Sequence, residues 1–133
     1  TSGSIVEIVD CNDPNDKILN VLSQYVLPIW IEGTEDHTEE LVKRFTTAPK
    51  PMYYDEDFLN KCWNDFLNQK NISEYEVDPN EFIIWGYQKL LENRLPRYKK
   101  IAENWGIILQ ASDVSKVKSA DEFTSLVSEN LRG

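Results

Sequence analysis

Apolar residues recur every three or four positions along most of this chain of 133 residues. The widest such face is formed by Phe58, Leu59, Cys62, Trp63, Phe66 and Leu67. This spacing matches the roughly 3.6-residue turn of an α-helix, whereas a strand would alternate apolar and polar residues. No stretch combines such alternation with the turn residues of a β-hairpin. The pattern therefore predicts an all-α fold.

The first part of the chain contains start signals for two helices. Asp13 and Pro14 read as an N-cap followed by the residue favoured at the first helical position. They predict a helix over about 14–26, which the next proline bends or ends. The bulky residues 26–31 after it are expected to be buried. Thr34 then caps a second helix, whose first turns are acidic.

The middle of the chain contains the clearest helix signals. Asp55 or Tyr54 opens the third helix, and Asp78 followed by Pro79 opens the fourth. Pro96 is expected to break or kink the path, because a proline inside a helix removes one backbone hydrogen bond. A fifth helix then ends at Gly106, which we expect in the left-handed conformation that closes many helices.

The last part of the chain contains shorter elements. Residues 107–110 allow one short strand, although no partner strand is evident in the sequence. Ser112 can cap a short helical turn, and Ser119 with Glu122 forms a capping box before the last helix. The whole pattern predicts a compact single domain of five or six helices.

Length and composition fit one folded domain. With 41% apolar and 11% aromatic residues, a chain of this size can enclose one substantial core. The first four residues, TSGS, are typical of a cloning remnant or of the flexible start of an excised domain. We therefore expect residues 1–12 to be a flexible start or tag remnant and residues 13–133 to form one helical domain. No run of apolar residues is long enough to cross a bilayer, so we expect no membrane partner.

Few residues point to catalysis or to a bound group. Cys11 and Cys62 form no CxxC pair, and Cys62 lies on the apolar face of the third helix, where a reduced, buried thiol is usual. This favours a reducing, cytoplasmic setting. The glycines are scattered, so there is no phosphate-binding loop, and the single histidine, His37, stands among acids. We expect no enzyme activity, no cofactor and no metal site.

Charge is unevenly distributed along the chain, whose net charge is −9. Residues 1–81 contain 17 acids and 6 bases, which gives 6 − 17 = −11, and residues 82–133 contain 6 acids and 8 bases, which gives 8 − 6 = +2. Such a field repels nucleic acid from the first part and attracts basic proteins to it.

Residues 99–118 resemble the helix-turn-helix of DNA-binding repressor families. Ala102 is the small residue of the first helix, Gly106 forms the turn, and Val114 follows on a second helix. However, Val114 lies too far along the chain from Ala102 for the usual contact between the two helices. The resemblance implies DNA binding through the basic segment 89–118, which carries the candidate phosphate contacts Lys89, Arg94, Arg97, Lys99, Lys100, Lys116 and Lys118.

The favoured function is a non-catalytic protein–protein interaction module, either partner-binding or inhibitory. Its candidate contacts combine an acidic helix face with a proline loop that carries two tyrosines, because exposed aromatic side chains beside charges often anchor interfaces. These residues are Glu35, Asp36, Glu39, Glu40, Met52, Tyr53, Tyr54, Asp55, Glu56 and Asp57. Two alternatives remain open: nucleic-acid binding through segment 89–118, and an acidic decoy that imitates DNA to inhibit a DNA-binding protein.

Overall fold

A computed structural model describes residues 3–50, 52 and 55–132. The all-α prediction is confirmed, since 70% of the chain is helical and the described residues form six α-helices and one two-stranded sheet. In chain order the elements are α1 (Lys17–Tyr25), β1 (Ile29–Glu32), α2 (Glu35–Thr47), α3 (Glu56–Lys70), α4 (Pro79–Trp105), β2 (Ile107–Gln110), α5 (Ala111–Val114) and α6 (Ala120–Arg132). Short 3-10 helices cover Gly3–Glu7 and Glu74–Glu76.

Most helices begin at the predicted caps. The Asp55 carboxylate accepts a hydrogen bond from the Phe58 amide at 3.1 Å, and Asp78 accepts from the Asn80 amide at 2.8 Å. The amide of Glu122 donates to the Ser119 hydroxyl at 3.2 Å. Each cap satisfies an amide that has no partner within its own helix.

Helix α1 begins three residues later than predicted. Its N-cap is Asp16, whose carboxylate accepts from the Leu19 amide at 2.9 Å and from the Asp10 amide at 2.8 Å. Asp13 instead closes a turn by accepting from the Asn15 amide. The prediction that Asp13 caps the helix is wrong because Asp16 stabilises both the helix start and the loop before it.

The predicted break at Pro96 is also wrong. Helix α4 runs without interruption through the proline, although a proline inside a helix costs about 3 kcal/mol. Side chains on both sides of the proline are buried, among them Leu90 and Ile101. Their packing offsets the lost hydrogen bond.

The predicted strand at 107–110 is confirmed, and its partner is β1. The two strands are parallel, with Ile29 opposite Ile107 in the register. Gly106 lets the chain enter this pairing, because a Cβ there would lie 2.0 Å from the Pro28 carbonyl oxygen. No glycine in the described ranges has a positive φ, so the prediction of a left-handed Gly106 is wrong. The glycine instead allows its backbone to lie close to the backbone of Pro28.

The described residues cluster into two compact units, which we treat separately. The terminal unit comprises Thr1–Thr38 and Pro96–Gly133, and the central unit comprises Glu39–Leu95. The predicted single domain 13–133 stays a prediction.

The core of the terminal unit includes residues close to the start of the chain. Val6, Cys11, Leu19 and Ile101 form a buried cluster, which Tyr98 and Trp105 cover. This packing differs from the flexible start expected for residues 1–12, because the apolar side chains within that segment fill the space beside α1 and α4.

The core of the central unit is aromatic. Phe66 is 0% exposed and packs edge-on against Phe82 and Trp85, with ring centroids 5.3 and 5.4 Å away. Phe45 stacks on Tyr87 at 4.0 Å. The prediction that the apolar face of the third helix is buried is confirmed at Cys62 and Phe66. None of the helices described for either unit is long and apolar enough to cross a bilayer.

Candidate functional site

Large apolar side chains are exposed along one segment of the terminal unit. In the described part of the chain, those between residues 8 and 31 are Ile8, Ile18, Val21, Tyr25, Val26, Leu27 and Ile31. The expectation that residues 26–31 are buried is therefore wrong at three positions. The apolar pattern of this segment predicted burial, but the described residues leave these side chains exposed.

Three of these residues form a continuous strip on α1, which we call the α1 stripe: Ile18, Val21 and Tyr25. Residues at this spacing fall within an arc of about 60° on a helix with 3.6 residues per turn. Val21 is 56% exposed and Tyr25 is 81% exposed. Leu19, on the neighbouring arc of the same helix, is 3% exposed and belongs to the core cluster. Helix α1 thus has a wide apolar face, of which only one side is covered.

The sheet adds an unpaired backbone edge to the same unit. The Ile107 amide donates to the Pro28 carbonyl at 3.0 Å, and backbone groups along a strand alternate in direction. Trp30 therefore points its amide and carbonyl toward β2, whereas Ile29 and Ile31 point theirs away. No described residue outside the ladder forms a hydrogen bond with the backbone of Ile29 or Ile31. We call these groups the outer edge of β1.

Acidic residues flank the exposed apolar segment. No lysine or arginine occurs between Ile18 and Val42. Glu32 ends β1, where its carboxylate accepts from the Gln110 side chain at 2.9 Å. Glu35 and Asp36 are exposed in the first turn of α2, where a helix N-terminus favours negative charge.

The second acidic turn of α2 belongs to the central unit. Glu39 and Glu40 are exposed, and the Glu40 carboxylate pairs with Arg44 at 3.3 Å. The predicted acidic face of α2 is thus present as four exposed side chains on one helix, one of which already has a cation beside it.

The predicted proline loop contributes one helix cap where the structure describes it. Asp55 caps α3, Glu56 and Asp57 are exposed in its first turn, and Met52 is half-buried. Tyr53 and Tyr54 lie outside the described residues, so the structure does not test them.

Two of the candidate phosphate contacts, Lys89 and Arg94, lie in the central unit. The Lys89 ammonium lies 3.2 Å from the Glu92 carboxylate and 5.5 Å from the centroid of the Trp85 ring. Arg94 is buried. Neither is available as a free phosphate contact.

Arg97, in the terminal unit, holds the start of the chain in place. Its guanidinium donates to the Val6 carbonyl at 2.6 Å and to the Glu7 carboxylate at 3.2 Å. The Glu7 side chain is only 1% exposed, so Arg97 compensates a buried charge. Lys99 lies 3.9 Å from the Glu103 carboxylate, and Lys100 donates to the Asn12 side chain.

The helix-turn-helix interpretation of residues 99–118 is wrong. After Gly106 the chain continues as the strand β2 rather than as a turn, and α5 has only four residues. Ser112 does not cap it, since the N-cap is Gln110. Lys116 lies 3.5 Å from the Asp113 carboxylate, and Lys118 is exposed in the connection to α6. No recognition helix presents these cations to a groove of DNA.

A groove in the central unit is the other feature that brings reactive side chains together. It has a volume of about 570 Å³ and is lined by Phe58, Lys61, Cys62, Asp65, Gln69, Trp85, Lys89, Glu92 and Asn93. Burial, and then the nearby Asp65 carboxylate, raise the pKa of the Cys62 thiol. The thiol is therefore protonated and weakly nucleophilic at neutral pH. Within the described ranges, no three histidine, cysteine or acidic side chains form a set of metal ligands.

No family model matches the chain, and no curated protein or solved structure is significantly similar to it. Its function must therefore be argued from its own surfaces.

Proposed function

We propose that this protein is a non-catalytic protein-binding module and that the α1 stripe is the centre of its binding surface. The observation that carries the proposal is the exposure of Ile18, Val21 and Tyr25 beside the buried Leu19 on one short helix. Adjacent exposed apolar residues, unlike single ones, are characteristic of surfaces that bind other proteins.

The stripe contains enough apolar surface to support binding. Full burial of a valine or isoleucine side chain stabilises by about 1.5–3 kcal/mol, and tyrosine is enriched among the residues that dominate interface energies. Tyr25 also has few rotatable bonds, so its ordering on binding costs little entropy. A partner that covers the three side chains would therefore gain several kcal/mol before its association costs.

The acidic residues of α2 favour a basic partner. Glu35 and Asp36 lie in the terminal unit with the stripe, and Glu39 and Glu40 extend the same charge along the helix. Complementary charge raises the association rate more than it raises the affinity. The proline loop, with Met52, Tyr53, Tyr54, Asp55, Glu56 and Asp57, remains the sequence-based alternative for a partner contact.

A pair of charge substitutions on α1 tests the proposal. Val21→Asp places a carboxylate in the stripe, whereas Ser23→Asp adds the same charge at an exposed polar position on the opposite side of the same helix. We expect the natural partner, identified from the cells that produce the protein and then purified, to bind Val21→Asp at least about tenfold more weakly. Ser23→Asp should bind within about twofold of the parent protein. Equal affinities of the two variants would refute the proposal.

Two binding experiments test the two alternative functions. A nucleic-acid-binding protein loses affinity for DNA steeply as salt rises, and we expect no binding of DNA at physiological ionic strength because the cations of segment 89–118 are largely engaged. An acidic decoy would instead bind a DNA-binding protein and be displaced by DNA. Either result would replace the function proposed above.

A further inference from the structure

The β1–β2 sheet is small for parallel pairing. Parallel strands usually lie in larger sheets with both faces covered, and a sheet of only two strands is marginally stable. Here each strand has four residues, α5 packs against both strands, and α6 packs against β2. Ile31, in β1, is 45% exposed. Proteins normally protect such an edge with charges, prolines, bulges or a covering element.

The outer edge of β1 is protected only at its ends, where Pro28 precedes the strand and Glu32 closes it, and by the shortness of the strand. Its central residues are Ile29, Trp30 and Ile31, without a proline, a charge or an irregularity. The backbone groups of Ile29 and Ile31 point away from β2 and form no other hydrogen bond with the described chain. An extended segment placed along this edge would pair with those groups, which is a recurrent way in which proteins bind peptides.

We infer that the outer edge of β1 receives a third strand, contributed by an extended partner segment that alternates apolar and basic residues. This inference rests on the proposed function, since it names the kind of segment that the terminal unit binds. Apolar residues of the added strand would pack beside Ile29 and Ile31, which share one face of the sheet.

Charge favours a basic segment over a second copy of this chain. Glu32 stands at the end of β1, Glu35 and Asp36 follow it, and no base occurs between Ile18 and Val42. Two copies that paired through β1 would each bring a net charge of −9, and this repulsion opposes their association. Lysine or arginine side chains on the added strand would instead complement the acidic end of β1.

The test uses a short synthetic peptide that alternates lysine and valine, added to the complete protein labelled with 15N. Two peptides serve as controls: the same sequence methylated on every backbone nitrogen, and a sequence that alternates glutamate and valine. We expect the lysine peptide to bind with a Kd below about 1 mM. Each control peptide should bind at least about tenfold more weakly, because one lacks the strand's donors and the other has the wrong charge.

The amide signals of β1 identify the mode of binding. The exchange of the Ile29 and Ile31 amide protons should slow at least about tenfold on binding. The Trp30 and Glu32 amides, which already face β2, should change little and provide an internal control. Binding of the lysine peptide without protection at Ile29 and Ile31, equal binding of the N-methylated peptide, or no binding would each overturn the inference.

A substitution on the protein gives a second, independent test. Ile31→Pro removes one outward-pointing donor while leaving the β1–β2 ladder intact, since proline is tolerated where an edge amide faces away from the sheet. We expect this variant to bind the peptide at least about tenfold more weakly and Ile31→Val to bind within about twofold of the parent. If Ile31→Pro does not fold, the comparison of the methylated and unmethylated peptides still decides.

Failure of the strand and failure of the binding module are distinguishable. If only the strand inference is wrong, Val21→Asp will still weaken binding of the natural partner while Ile31→Pro leaves it unchanged. If the proposed function is wrong, neither substitution will affect a natural interaction.

Discussion

The two compact units differ in how many large apolar side chains they leave exposed: among the described residues there are eight in the terminal unit and two, Leu59 and Tyr75, in the central unit. In the central unit, Phe45, Phe66, Tyr87 and their neighbours contact one another ring against ring. In the terminal unit, side chains of similar size such as Tyr25 and Val21 are exposed to solvent. Covered aromatic residues stabilise a fold, whereas contiguous uncovered apolar residues are typical of binding surfaces. This difference is the reason that we propose the binding surface in the terminal unit.

Deletion of a central aromatic ring should have the largest effect. Phe66→Ala removes a ring that is 0% exposed and contacts Phe82 and Trp85. We expect the free energy of unfolding to fall by about 3–5 kcal/mol, measured by urea denaturation. Leu59→Ala, at an exposed position of the same helix, should cost less than about 1 kcal/mol. Similar losses for the two variants would show that the aromatic cluster does not hold the unit together.

Two truncations on α1 should divide its apolar face into a structural side and a binding side. Leu19→Ala should lower the free energy of unfolding by about 2–4 kcal/mol, because Leu19 packs on Val6, Cys11 and Ile101. Val21→Ala should change it by less than about 1 kcal/mol, since most of the Val21 side chain is already in water. Chemical denaturation of both variants measures the difference. A large loss for Val21→Ala would mean that the stripe is covered in solution.

Loss of the Arg97 guanidinium should release the start of the chain. Arg97→Met leaves the buried Glu7 carboxylate and the Val6 carbonyl without this donor. Charge-assisted hydrogen bonds contribute about 1.5–3 kcal/mol each, so we expect a loss of about 2 kcal/mol and faster amide exchange across residues 5–9. Lys99→Met removes an exposed charge pair and should cost almost nothing. Unchanged exchange in Arg97→Met would show that the Arg97 hydrogen bonds do not hold residues 5–9 in place.

The smallest expected effects concern the loss of stability at acid pH. Two described carboxylates contribute to it, one in each unit. Hydrogen bonds from the Asp10 and Leu19 amides lower the pKa of Asp16, and hydrogen bonds from the Ser73 amide and hydroxyl lower the pKa of Glu76. A lowered pKa in the folded state means that the ionised group stabilises the fold above its usual pKa. This contribution is lost as the pH falls through the folded-state value.

Amide substitutions at these two carboxylates test the direction of this pH dependence of stability. Asp16→Asn and Glu76→Gln should each lower the urea midpoint slightly at pH 7, because a neutral oxygen accepts more weakly than a carboxylate. The difference from the parent protein should shrink as the pH falls below about 4. A difference that grows toward acid pH would contradict the assigned hydrogen bonds.

Local signals in the sequence explain which parts of the fold could be predicted. Asp55, Asp78 and Ser119 cap helices through atoms only a few residues away, so spacing alone identifies them. The pairing of Ile29 with Ile107 spans most of the chain, and no local pattern shows which distant strand will be the partner. Pro96 locally disfavours a continuous helix, but the packing of the side chains on both sides of it outweighs this preference in α4.

The candidate site was harder to predict, because periodicity identifies an apolar face but does not show whether anything covers it. The spacing of Ile18, Val21 and Tyr25 is the same whether α1 is buried or exposed. Only the three-dimensional arrangement shows that Leu19 takes the interior position and leaves the stripe outside. The charge pattern did help to predict the site from the sequence alone, because the absence of bases between Ile18 and Val42 is visible there. It drew attention to α2, which follows β1 in the chain, rather than to α1 itself.

Photo-crosslinking from α1 in the cells that produce the protein tests the central claim most directly. A photoreactive amino acid would replace Val21 in one variant and Ser23 in a second, since both positions are exposed but lie on opposite sides of the same helix. Our account predicts that the variant labelled at position 21 forms a covalent adduct with one protein, and that the variant labelled at position 23 forms it in much lower yield. Equal yields from the two positions, or no adduct from position 21, would contradict the claim that the α1 stripe is a binding surface.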